Sequence, residues 1–530
     1  MESGGLRRRD VLRNGALGAG ALTLGPALAR LGPLAERAGA APTPFKGPGP
    51  YGPIQPSNLG EGVQVPKGFT VREIARGNAP VPGTSYPWHV FSDGSGSFVL
   101  PDGGWLWASN AESPEPGQAF GGASVIRFDK DGNSVDAYRI LSGTRSNCGG
   151  GITPWGTWLS GEEVDTGLVW EADLTGQTPA VPRPKLGVFS HEYAVAHAAD
   201  RRIYLTEDQS GGGFYRFTPA KWGDLSAGVL EIATLNQNGV VEWRVVPDPE
   251  AKSKPTREQV PATRMARPEG LCVHERTGLV YFVESSAGRV FQYDPVTETY
   301  EKVYAESDFK EPELTDTDNV AVSELSRDLY VCEDSGDLDI CIITPDGEVS
   351  RFVHLDGVMH GDPNTDATSE TTGPSFDPSG KRLYFSSQRA FGFGVVYEVS
   401  GPFRTLPTPP PPSTGGNTPL PLTLRTHAYH RTFKSRLAKQ GFRVGLTLNL
   451  EADVTSVLRA PVGAKGSPVT LAVGMRRATP KGRSKLGLAL TRKGKGYLRR
   501  IGKPVTATIV TTATTTDGRR AVVERPIALR

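Results

Sequence analysis

The sequence predicts an all-β protein: a six-bladed β-propeller followed by a small C-terminal β-sandwich. Three observations carry this. Glycine (64) and proline (44) are abundant among 530 residues, a composition that favours many turns over long helices. Short apolar runs separated by turn residues recur from about residue 85 to 400, as in propeller blades. Beyond a proline-rich stretch the pattern changes to period-two alternation, and a chain of this length exceeds one ordinary core.

Residues 1–41 read as an export signal. Arg7, Arg8 and Arg9 precede an uncharged, Ala/Gly/Leu-rich stretch, and Ala27-Leu28-Ala29 or Ala38-Gly39-Ala40 offers a cleavage site. Paired arginines before a hydrophobic residue resemble a twin-arginine signal. The plainer alternative is an ordinary secretory signal. No other segment reaches the ~18 apolar residues that a span requires, so the protein is expected to be extracellular, periplasmic or cell-wall associated.

Residues 42–400 hold the repeat. Its strands include Ile203-Tyr204-Leu205, Val280-Tyr281-Phe282, Leu329-Tyr330-Val331 and Leu383-Tyr384-Phe385, with an acidic residue often closing the strand. About six such units are present. Cys148 and Glu163 are 15 residues apart, as are Glu192 and Glu207, Glu269 and Glu284, and Asp318 and Glu333. Each pair brackets a strand–turn–strand hairpin, so both members emerge at the same end. Gathered carboxylates repel unless a cation lies among them, and hard cations suit oxygen ligands. A lone acid at a strand end is more simply a turn or cap residue; four pairs in phase favour a site. Glu112, Asp208 and Glu370 stand at neighbouring positions.

The four cysteines form no CxxC pair, and four in 530 residues are too few for a disulfide framework. Cys272, Cys332 and Cys341 lie in apolar runs and read as core; Cys148 sits in a glycine loop. The eight histidines show no HExxH spacing, and His191 reads as structural, its neighbour Glu192 holding the phased position.

The run 147–163, with Cys148-Gly149-Gly150-Gly151 and Glu162-Glu163, resembles the signature of the PhoX-type alkaline phosphatase family. So do Phe189-Ser190-His191-Glu192, Thr206-Glu207-Asp208, Arg267-Pro268-Glu269-Gly270, Asp318-Asn319 and Ser369-Glu370-Thr371-Thr372-Gly373-Pro374, in the family's order. The resemblance implies an exported propeller phosphatase with ferric iron, Fe(III), and calcium, Ca2+, at the channel mouth. It implies Cys148 as an iron ligand and Glu163, Glu207 and Glu269 as ligands of the iron–calcium cluster. Arg267 would hold the substrate phosphate, with Cys148 and Glu269 completing the catalytic set. Further calcium ligands are expected among Glu112, Asp208, Asp318, Glu333 and Glu370. Gly161 departs from the family, in which cysteine is common at that position, and the chain is shorter between blades. A thiolate beside carboxylates can select iron, and all-oxygen positions suit calcium. Clustered cations neutralise a phosphate monoester, and a planar Arg forks onto two phosphate oxygens. Without the motif, Arg267 is as well read as an ion-pair partner of Glu269.

Residues 401–420, with Pro409-Pro410-Pro411-Pro412, read as a linker. Residues 421–530 hold 23 Lys+Arg against 4 Asp+Glu, a charge of +19 that leaves −17 for the rest. The acidic body suits cations and argues against nucleic-acid-specific binding. The basic domain either binds an anionic cell-envelope polymer or is a solvated accessory. The protein is expected to be a monomer acting on a small phosphate ester. Two other readings stand beside phosphatase: a calcium-dependent lactonase-type hydrolase, which would not explain Cys148, and a non-catalytic, metal-stabilised propeller binding module.

Overall fold

Strands dominate because the apolar runs are short, rich in β-branched and aromatic residues, and bounded by turns. The computed structural model describes residues 42–113, 121–236, 239–335, 337–356, 360, 369–405 and most of 424–529. The expected export signal and nearly all of the linker lie outside these residues.

Six sheets, antiparallel but for the short parallel pair of Phe45–Lys46 with Glu348–Leu355, follow one another along the chain. Sheet 1 is Ser92–Val99, Trp105–Ala111, Gly122–Phe128 and Ser134–Ser142; sheet 2 is Asn147–Ile152, Thr157–Glu162, Val169–Asp173 and Val181–Pro182. Sheet 3 opens with His191–His197 and Arg202–Glu207, sheet 4 with Pro268–His274 and Leu279–Glu284, sheet 5 with Thr317–Val322 and Leu329–Glu333. Sheet 6 joins Thr371–Phe376, Arg382–Ser387 and Val395–Ser400 to an N-terminal strand, Thr70–Arg76. The first strand of each sheet packs beside the first strand of the next, and the sixth returns to the first. The ring therefore closes on itself, and the early chain completes its last sheet.

The apolar runs are buried along their length because each sheet is covered on both faces. Leu279–Glu284 is buried at every position but the first. One apolar cluster fills each gap: Trp107, Phe128 and Tyr384 between sheets 6 and 1, Leu205 and Phe189 between 2 and 3, Phe214 and Phe282 between 3 and 4. Burying each such side chain contributes about 1.5–3 kcal/mol. Cys332 and Cys341 are buried and Cys272 is half-buried, as core residues.

The C-terminal region contains one eight-stranded sheet around its own apolar cluster, with Leu458, Leu471 and Ile509 at its heart. Arg492–Arg500 is the single α-helix among the described residues. This sheet touches the ring through Arg459 Nη2, which donates to the Val296 carbonyl at 2.7 Å, and through Thr470 Oγ1, which donates to Glu298 at 3.0 Å. Among the described residues no helix is long and apolar enough to cross a membrane.

Candidate metal centre

Every sheet begins with the same local device. The first residue of the innermost strand pairs with the end of the second strand: Ser92 with Ala111, Asn147 with Glu162, His191 with Glu207, Pro268 with Glu284, Thr317 with Glu333, Thr371 with Ser387. A register shift follows, directly after the pair in five sheets and after Thr372 in the sixth. Bulges of this kind bend a strand and re-aim a side chain. The second residue of each innermost strand is thereby brought to one level of the ring: Asp93, Cys148, Glu192, Glu269, Asp318 and Thr372.

In sheets 2 and 4, close approach at that level excludes a side chain from the next position. A Cβ on Gly149 would lie 2.2 Å from the Glu192 carbonyl oxygen, and one on Gly270 would lie 2.5 Å from that of Asp318. Before four of the strands, Phe91, Ser146, Arg267 and Asp316 adopt left-handed φ values of 50, 41, 56 and 42°. Such residues cost about 1–3 kcal/mol each and cluster where geometry serves a site.

Three groups of ligand atoms lie within 4.8 Å of one another: Asp93, Glu112 and Cys148; Cys148, Glu163 and Glu192; Glu192, Glu269 and Asp318. Shared members make the three groups one continuous array. Gln388 Nε2 donates to Asp93 at 2.6 Å and to Glu112 at 2.7 Å. Ser285 Oγ donates to Glu269 at 2.9 Å, and the Cys148 thiol donates to Glu192 Oε1 at 3.1 Å. The other Glu192 oxygen is buried without a hydrogen-bond partner. Leaving such a group unmade costs about 1–3 kcal/mol, more for a charged group; a cation would satisfy it.

Electrostatics agree with that reading. Burial, then the Glu112 charge, pushes the Asp93 carboxyl up to about 7. Burial and the neighbouring carboxylates raise Glu192, Asp318 and Glu370 well above the usual carboxyl range. The Cys148 thiol is driven up by burial, then by Asp93 and Glu192. The donor set fits metal ions: one sulfur shared between two groups, and an all-oxygen group at Glu192, Glu269 and Asp318.

Two arginines border the array. Arg267 forks onto Asp208, with Nε 2.6 Å and Nη2 2.8 Å from its two oxygens, and Nη2 lies 2.6 Å from Glu269. Arg389 Nη2 stands 3.4 Å from Glu370 and 3.8 Å from Glu112.

The structure corrects part of the expected ligand set. Glu207 is fully buried, but one of its oxygens meets Arg257 and the other accepts from Tyr215 (2.7 Å) and the Gly213 amide (3.1 Å). Glu333 accepts from the Thr315 amide (2.7 Å) and the Asp339 amide (3.0 Å). Glu284 and Glu162 occupy the same register position and also accept backbone amides, those of Ala266, and of Arg145 and Leu168. These four clamp their own sheets. The residue after each register position faces the array: Glu112, Glu163, Asp208, Ser285, Asp334 and Gln388. The spacing of 15 therefore mixes two positions. From Glu192, Glu269, Asp318 and Thr372 the facing residue is 16 away, and only the shorter hairpin of sheet 2 places Glu163 at 15. Glu192 and Asp93 belong to the array although neither was among the expected ligands. The phase of Glu192 marks it in the sequence; Asp93 lies ahead of a longer hairpin that breaks the phase. His191 Nε2 donates to the Gly187 carbonyl (3.1 Å) and the ring packs on Phe189, a structural role.

The family model described as alkaline phosphatase PhoX matches residues 117–174 and 165–390. No curated protein sequence matches the chain. Among solved structures, a gluconolactonase of Xanthomonas campestris is similar at 12% identity, covering 67% of this chain and 99% of its own, with a TM-score of 0.39. The WD40 repeats of RRP9 are similar at 12% identity, covering 66% and 100%, with a TM-score of 0.37. A luciferin-regenerating enzyme is similar at 14% identity, covering 64% and 97%, with a TM-score of 0.34.

Proposed function

The chain belongs to the PhoX alkaline phosphatase family, a family of metal-dependent hydrolases, and from this we propose that it is an exported phosphatase cleaving phosphate monoesters at an iron and calcium cluster. The observation that carries the reading is the continuous array of Asp93, Glu112, Cys148, Glu163, Glu192, Glu269 and Asp318. Cys148 suits iron, shared between the groups on either side of it, and the Glu192, Glu269 and Asp318 group suits calcium. Bound there, cations supply Lewis-acid neutralisation of a phosphate ester and its leaving oxygen. Asp208, together with Glu269, holds the Arg267 fork beside the array, where it orients the phosphate; Gln388 and Ser285 fix the carboxylates of Asp93 and Glu269. Glu370 and Asp334 border the same space. Glu207 and Glu333 are left out of the ligand set.

The six sheets are read as blades of one propeller over residues 42–400. Residues 1–41 are read as a twin-arginine signal and 401–420 as a linker. Residues 421–530 form a basic accessory domain of sandwich type that suits an anionic envelope polymer. The whole acts as a monomer.

The test is metal analysis of the exported protein with assay of a chromogenic phosphate monoester, with and without chelator. Iron and calcium present, with hydrolysis lost on chelation, is the expected result. Metal present with the ester intact points to a binding module; calcium alone with lactone cleavage points to a lactonase. Salt-insensitive recovery, or none, from cell-wall fractions would remove the polymer reading.

A further inference from the structure

Arg267 and Arg389 belong to sheets 4 and 6, with sheet 5 between them. They are joined by an arc of carboxylates: Arg267 Nη1 lies 4.0 Å from Asp334, Asp334 acts on Glu370 as its strongest repelling charge, and Glu370 meets Arg389. The two cations are held very differently. The Arg267 side chain is 13% exposed and is drawn to 2.6–2.8 Å from its carboxylates. Arg389 is 33% exposed, and its ion pairs among the described residues run through Nη2 alone, at 3.4 and 3.8 Å. Arg216, a buried counter-charge, is by contrast drawn to 2.7 Å of Glu231 with 3% exposure.

What holds Arg389 is its backbone and a ring. Its amide donates to Ser369 Oγ at 3.0 Å, and its guanidinium lies over Phe91 at 5.1 Å from the ring centroid. Phe91 is fixed in turn: its amide donates to the Phe393 carbonyl at 3.0 Å, and its carbonyl accepts the Glu112 amide at 2.9 Å. Stacking on a ring leaves the in-plane nitrogens of a guanidinium available to hydrogen-bond. Glu112 is also a member of the Asp93 and Cys148 group, so a cation there takes the charge that otherwise competes for Arg389.

We propose that Arg389 is a second anion-binding residue of the site, forking onto the phosphoryl oxygens of a bound phosphate ester from a position two sheets along the ring from Arg267. This rests on the phosphatase reading and deepens it: a substrate gripped by two arginines is a dianionic monoester, with only its leaving group free to vary.

The test compares metal-loaded wild type with Arg389→Gln and Arg389→Lys, using calorimetric binding of inorganic phosphate, the KM and kcat for a chromogenic monoester, and metal content. The expected result for Arg389→Gln is unchanged metal content, with phosphate binding and KM weakened about tenfold to a hundredfold, the loss of one or two charged hydrogen bonds. Arg389→Lys recovers part of this, lacking the fork and the stack. Phosphate affinity unchanged in Arg389→Gln at full metal content overturns the proposal. So does loss of metal in that variant, which would make Arg389 a counter-charge. Wild type that binds phosphate in an Arg389-dependent way yet leaves every ester intact removes the phosphatase reading alone; wild type that binds no phosphate removes both.

Discussion

The sulfur of Cys148 lies 3.1 Å from a carboxylate oxygen of Glu192, and the other oxygen of that carboxylate is buried without a hydrogen-bond partner. The two residues come from neighbouring innermost strands, and Glu192 belongs to both the sulfur-containing and the all-oxygen groups. Loss of either should therefore be felt along the whole array.

Glu192→Gln is expected to lower bound metal by at least one ion and to abolish turnover. It should also stabilise the chelated protein, because it removes a buried carboxyl whose ionisation is opposed by burial, Glu269 and Asp318. Metal content and denaturation midpoints check this. Full metal content in the variant would mean that Glu192 is not the hub.

Cys148 is held as a thiol by burial and its acidic neighbours. In chelated protein it should react with an alkylating agent far more slowly than a free thiol, since the thiolate is the nucleophile. Metal uptake must displace its proton, so affinity should rise with pH. Rapid alkylation of folded, chelated protein at neutral pH would contradict this environment.

The chelated protein should lose stability as pH rises. Asp93 titrates at about 7 when folded against 3.8 in an unstructured chain. Between those values the native state keeps a proton that the unfolded chain has released, so stability falls with rising pH across that window. Glu192, Asp318 and Glu370 act in the same direction. Asp200 and Glu298, lowered by His197 and Arg459 among others, act oppositely at more acidic pH, and His89, His191, His274 and His360, held below the usual imidazole value chiefly by burial, act oppositely up to about pH 6.5. Urea midpoints in chelator should drop between about pH 6.5 and about pH 8, where those histidines no longer titrate in either state, and calcium should restore them. A midpoint that climbs across this range without metal would refute the account.

Glu207→Ala should unfold more easily while keeping its metals. Removing this carboxylate leaves Arg257, Tyr215 and the Gly213 amide without their acceptor. The cost is about 3 kcal/mol. Asp208→Ala, one residue on, should instead free the Arg267 fork and raise KM with little change in stability. The reverse pattern would restore Glu207 to the ligand set.

Much of this architecture was legible in the chain. Runs such as Ile203-Tyr204-Leu205 and Leu383-Tyr384-Phe385 marked the strands, because a sheet covered on both faces needs unbroken apolar stretches. Cys148, Glu163 and Glu269 could be picked out from motif and phase, and all three lie in the array. The closing strand Thr70–Arg76 could not, since its partner Val395–Ser400 lies more than 300 residues away. Asp93 was equally hidden: nothing local separates it from other acids near a turn.

Composition and pattern determined on their own that this is an all-β chain with acids gathered at strand starts. Which acids face inward was decided only by the tertiary structure. Side chains alternate across a strand, so a shift of one residue reverses their direction. The bulge after each opening pair sets whether Glu207 or Asp208 looks toward the centre, and the hairpin of sheet 2, one residue shorter than those of sheets 3 to 6, does the same for Glu162 and Glu163. Those offsets arise from strand pairing and close packing around the ring, which residue counting does not contain.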